Sequence, residues 1–103
     1  MQEEKKQYLG KYLLQETKIN SLKQLAFKNP QRKDYYYKKI ENCINLRNEI
    51  EEKIEEVEDT TLSEILYQKY IFGKTLEQIS YTLNYSKRHI ERLHIKALEK
   101  IEL

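Results

Sequence analysis

Ser86-Lys87-Arg88-His89, followed by Arg92 and Lys96, is the run of this sequence best equipped to recognise another molecule. A serine ahead of a helix can cap it and offer its hydroxyl, or the helix N-terminus, to a phosphate. Lysine neutralises phosphates, and arginine can make a two-pronged contact with guanine, worth about 1–3 kcal/mol of discrimination. Glu91 can accept from cytosine or orient Arg88 or Lys87, and His89 can change charge near neutral pH. This chemistry suits the major groove of double-stranded DNA. The contact candidates are Lys74, Thr75, Ser86, Lys87, Arg88, His89, Glu91, Arg92 and Lys96.

Such residues work only if a scaffold holds them out. Ile79, Leu83, Ile90 and Leu93 have the spacing at which two short helices lock together, and Ser80 is small where they must cross. Thr75 and Gln78 have capping-box spacing and start the first of the pair. Asn84 sits at the turn, where a residue must tolerate positive φ. Ser86 starts the second, which runs to about Ile101 and turns Ile90, Leu93, Ala97, Leu98 and Ile101 inward. A further helix precedes them. Thr61 and Glu64 have capping-box spacing at its start, Leu62, Ile65, Leu66, Ile71 and Phe72 form its inner face, and Gly73 ends it as a left-handed residue.

The first part of the chain reads differently. Residues 3–28 form one long amphipathic helix with Leu9, Tyr12, Leu13, Ile19, Leu22, Leu25 and Ala26 recurring at spacings of three and four. Asn29-Pro30 stops it. Residues 32–58 form a second long helix with a stripe of Tyr36, Ile40, Cys43, Ile44, Ile50, Ile54 and Val57, interrupted by Arg47. The expected fold is all-α, with a helical hairpin over 1–59 for packing or oligomerisation and a three-helix helix-turn-helix unit over 60–103.

Two Gly and one Pro in 103 residues argue against a sheet-rich fold. A net charge of +2 implies no polyanion partner by itself, but the charge is locally polarised. Lys28, Arg32, Lys33, Lys38 and Lys39 face Asp34 alone, with Tyr35, Tyr36 and Tyr37 among them. Glu49 to Asp59 is strongly acidic, with Lys53 its one cation. The basic stretch reads chiefly as a solvated helix start, with phosphate contact as its functional alternative. The acidic run reads as a solvated face. The single cysteine, Cys43, excludes an internal disulfide and suggests a reducing compartment. The absence of a long apolar run predicts no membrane span and a cytoplasmic protein. His89 and His94 are five apart, off one helical face, and nothing completes a metal site. No phosphate loop or nucleophile elbow is present. The expectation is a non-enzyme without metal or cofactor.

Residues 62–101 resemble region 4 of bacterial sigma-70-type factors through Leu76-Glu77-Gln78-Ile79-Ser80, Leu83-Asn84-Tyr85-Ser86 and Ile90-Glu91-Arg92-Leu93-His94-Ile95-Lys96-Ala97-Leu98. With Tyr70-Ile71-Phe72-Gly73-Lys74-Thr75-Leu76, this stretch also resembles small phage and prophage regulators of the ArpU and RinA kind. The region departs from the sigma pattern at Ser80, usually Ala, and Asn84, usually Gly, and the chain has no counterpart of the promoter-melting region 2. The resemblance implies sequence-specific DNA binding and control of phage or mobile-element genes. A homodimer is expected, because one copy offers few cations. The alternative is a sigma-like module that docks on RNA polymerase or a sigma factor without reading DNA.

Overall fold

A computed structural model describes residues 2–103, and every regular element in it is helical. Helix α1 spans Gln2–Lys28 and, after a 3₁₀ turn at Pro30–Arg32, helix α2 spans Lys33–Glu55. Pro30 opens that turn, where its missing N–H is not needed. The two helices form an antiparallel hairpin, the long dimension of a molecule 52 × 26 × 21 Å across. Helices α3 (Thr60–Leu66), α4 (Leu76–Leu83) and α5 (Lys87–Glu99) follow, with a π-helical turn at Tyr67–Ile71 after α3. Among the described residues no helix is long and apolar enough to cross a membrane.

The hairpin seam is apolar where the sequence is apolar. Ile19, Ile40 and Cys43 pack towards the tip, and Leu9, Tyr12, Ile50 and Ile54 pack towards the base. Arg47, which breaks the stripe, reaches across to Glu16 at 2.7 Å. Hydrogen bonding to that carboxylate pushes its pKa above the ordinary arginine value. The Tyr12 hydroxyl donates to Glu51 at 2.6 Å, and burial together with this acidic neighbour pushes its pKa to about 12. The base of the hairpin is not capped by solvent. Leu62, Leu66, Tyr70, Ala97, Leu98 and Ile101 join Leu9, Ile50 and Ile54 in one buried cluster. A smaller cluster of Ile65, Ile79 and Ile90, flanked by Leu76, Leu83 and Leu93, locks α3, α4 and α5 together.

Several expectations need correction. Leu13 and Leu25 lie exposed on α1, because the seam follows Tyr12, Ile19 and Ala26 instead. Helix α2 ends at Glu55 rather than 58, and Val57 is buried beyond it. The cap of α3 is Asp59, not Thr61: its carboxylate accepts from Leu62 N at 3.0 Å, so the helix begins two residues earlier. Phe72 is not on the inner face but 62% exposed. Tyr70 is the buried aromatic there. The cause is the π turn, in which Phe72 N bonds Tyr67 O at 3.0 Å, five residues back. One extra residue per turn breaks the 3.6-residue periodicity that had placed Phe72 inward. Gly73 then reverses the chain at φ +72, as expected, and a Cβ there would meet Leu13 Cδ1 at 3.2 Å.

Candidate nucleic-acid interface

Helix α4 has eight residues and cannot persist alone, so its ends are fixed chemically. At its start, Gln78 N donates to Thr75 Oγ1 at 3.1 Å and Thr75 N donates to Gln78 Oε1 at 2.9 Å. This is the capping box read from the sequence. At its end Asn84 takes φ 61 and ψ 40. Tyr85 N bonds Ser80 O and Asn84 N bonds Tyr81 O, satisfying carbonyls the helix leaves free. Ser80 is buried at the crossing, and its hydroxyl donates to Glu77 O at 2.6 Å. Ser86 then caps α5 by accepting from His89 N at 3.1 Å. Replacing Ser86 with Ala is expected to cost about 1 kcal/mol, read as a lower urea midpoint with an unchanged slope.

These caps set the geometry of the candidate residues. Ile90, His94, Ala97 and Leu98 face the interior, so Arg88, Arg92 and Lys96 lie outward and exposed, with Glu91 beside them. Lys87 is exposed in the first turn. None of these cations has a carboxylate within 4 Å among the described residues. Arg92 Nη2 lies 3.3 Å from His89 Nδ1. Read as a bond donated by the guanidinium, this leaves the proton of a neutral imidazole on Nε2. The ring of His89 also packs edge-on against Tyr85, with centroids 5.0 Å apart. Serine 86, Lys87, Arg88, His89 and Arg92 are thus brought together at one end of α5. Lys74 and Thr75 are not part of that group, because α4 separates them from the turn by about 12 Å. Thr75 has its side chain and its N–H committed to the capping box.

Sequence reasoning passed over three neighbours. Ile95 is half-exposed on the outward face of α5, beside Arg92 and Lys96. Tyr81 and Tyr85 are exposed and, with Glu77, Ser80, Asn84, Ser86 and Lys87, line an open groove of about 380 Å³ where α4 meets α5. The signal for Ile95 was available, since it lies off the spacing of Ile90, Leu93, Ala97 and Leu98.

His94 takes a different role from its neighbour His89. It is buried, and its Nε2 lies 2.8 Å from the hydroxyl of Tyr70. Burial, reinforced by Lys69 and Lys6, lowers its pKa to about 4, while burial raises that of Tyr70 to about 12. The phenol therefore stays protonated and can donate to an unprotonated Nε2. The unfolded chain takes up this proton near pH 6.5 and the folded chain only near 4. Stability is complete above 6.5 and falls between 6.5 and 4, by at most about 3 kcal/mol. Urea unfolding at pH 7 and pH 4.5 should show this loss in the wild type. In His94→Leu, whose basal stability is also lower, that part of the pH dependence should vanish.

At the hairpin tip Tyr36 turns into the seam, while Tyr35 and Tyr37 stay out. Arg32 stacks on Tyr35 at 4.5 Å, and Lys39 lies 4.9 Å from the same ring. Lys39 above all, then Arg32, lowers the Tyr35 pKa. Among the described residues no group of three or more His, Cys, Asp or Glu side chains could hold a metal ion. No family model, no curated protein and no solved structure matches this chain, so the surface of α5 speaks through its own geometry.

Proposed function

We propose that this chain is a sequence-specific DNA-binding transcription regulator of phage or mobile-element type, with α5 entering the major groove as the second helix of a helix-turn-helix. One observation carries the reading. Lys87 and Arg88 occupy the first turn of α5, with no acidic residue there. The helix dipole disfavours cations at that end and favours anions, so these residues work against the helix that carries them. Their placement suits an anionic partner approaching the N-terminus of α5, and Arg92 extends the same face by one turn. Ile95 adds an apolar surface of the kind that meets a thymine methyl.

The test is selection from a pool of random duplex DNA followed by sequencing, in moderate salt. An enriched motif is the expected outcome, with specificity at the positions facing Arg88 and Arg92. A folded protein that enriches no sequence would overturn the reading and turn attention to RNA polymerase or a sigma factor as the partner of this surface.

A further inference from the structure

The end of the hairpin away from the C-terminal helices concentrates the positive charge of the chain. Residues 17–40 hold seven Lys and Arg against one acid, Asp34, whereas the rest of the chain holds twelve against sixteen. A protein of net charge +2 therefore carries +6 at one end and −4 over the remainder. The cluster of Ile19, Ile40 and Cys43 packs both helices together there, so the charges share one tip. None of the seven cations has a carboxylate within 4 Å among the described residues, and Glu16, at the edge of the segment, is paired with Arg47. Arg32 and Lys33 stand at the start of α2, the end at which a helix dipole disfavours cations. Aromatic rings hold them instead. Besides Arg32 and Lys39 on Tyr35, Lys33 lies 5.8 Å from the centroid of Tyr37. Phe27, near the end of α1, is 86% exposed, the most exposed large apolar side chain among the described residues.

We infer that this tip is a second nucleic-acid surface, which takes a single strand without reading its sequence. The cations neutralise successive phosphates, and bases stack on Phe27 and Tyr37; stacking tolerates any sequence because every base has a π face. The placement of the charges selects a flexible polyanion. Lys18, Lys23 and Lys28 are five residues apart, so each is turned about 140° from the last around α1. Lys33 and Lys38 repeat that offset on α2. The charges thus surround the end of the hairpin rather than forming one face. A rigid duplex or a flat anionic membrane would meet only some of them at once, whereas a single strand can bend around the end and meet most. At the apex Asn29, Gln31 and Arg32 are polar, and Phe27 alone could enter hydrocarbon, which favours a hydrated strand over a bilayer. The inference stands apart from the reading of α5. The tip is built by the hairpin alone and α5 is anchored at the base, so either surface can fail without the other.

The probe is a fluorescein-labelled oligo(dT) of about 20 nucleotides, titrated with the full chain by fluorescence anisotropy at about 0.05 M salt. The Arg88→Glu/Arg92→Glu variant should bind it within about twofold of the wild type. Arg32→Glu/Lys39→Glu should bind at least about tenfold more weakly. Its dependence of log affinity on log salt should fall by up to about 1.4, since each phosphate contact on a single strand contributes about 0.7. Phe27→Ala should weaken binding at least about fivefold, and Phe27→Trp should retain it where Phe27→Leu does not, because only a ring stacks. All these side chains are exposed, so circular dichroism should show the helices intact in each variant. A wild type that does not bind the strand overturns the inference. So do tip variants that bind as the wild type does, or binding that is lost through Arg88 and Arg92 instead. In the Arg88→Glu/Arg92→Glu background, tighter binding of a duplex of equal length, or displacement of the strand by vesicles containing phosphatidylserine, overturns it as well.

Discussion

Reversing Arg88 and Arg92 together to glutamate is expected to lower affinity for duplex DNA by about a hundredfold or more near 0.1 M salt. The loss of two guanidiniums removes their base contacts and relaxes specificity at those positions, and it lowers the dependence of log affinity on log salt by up to about 0.9 for each that also neutralises a phosphate. Repulsion by the new carboxylates adds to the loss. Stability should move the other way or not at all. Both side chains are exposed and neither has a carboxylate within 4 Å among the described residues, and a carboxylate in the first turn of α5 suits the helix dipole. Fluorescence anisotropy over a salt series, with thermal melts alongside, reads both effects. An unchanged affinity together with an unchanged salt slope would mean that α5 does not face DNA, whatever else the protein binds.

Leu98→Ala should be the most damaging single truncation of a side chain on α5. Leu98 is fully buried where α5 meets Leu9, Ile50 and Ile54 of the hairpin and Leu62 and Leu66 of α3. Replacing a buried Leu by Ala costs about 2–5 kcal/mol, against a total of about 5–15 for a domain of this size. Because this cluster joins both parts of the chain, helix content should be lost in one transition, at a midpoint lower by about 4 °C or more per kcal/mol. Retention of a melted C-terminal part beside an intact hairpin would instead show that α1 and α2 stand alone.

The sequence made local features legible where a single residue decides them. Asn84, Gly73, Ser86 and the pair Thr75 and Gln78 act through their own backbone or nearest neighbours, and each does what its type and spacing predict. It was less legible where position depends on a partner. Asp59 rather than Thr61 caps α3, since both types can cap and only the path of the chain chooses. Leu13 and Leu25 fit the apolar spacing of α1 but miss a seam fixed by α2. Phe72 was misplaced by a change of helical pitch that leaves no compositional trace. For the candidate interface, the outward set Arg88, Arg92 and Lys96 was readable from helical spacing. The His89 contacts with Tyr85 and Arg92 were not, because they depend on rotamers.

The π turn at Tyr67–Ile71 has a bearing on how such a chain can change over evolutionary time. Removing one residue there would restore an ordinary α-helical pitch and swing everything downstream by about 100° around the axis of α3. Gly73 would leave its close approach to Leu13, and α4 and α5 would point in a new direction relative to the hairpin. Substitutions on α5 alter what that helix can hold, whereas a single-codon deletion within residues 67–71 would alter where it is aimed. Chains with the same residues on α5 but a different angle between α5 and the hairpin are therefore expected to differ in length at this turn.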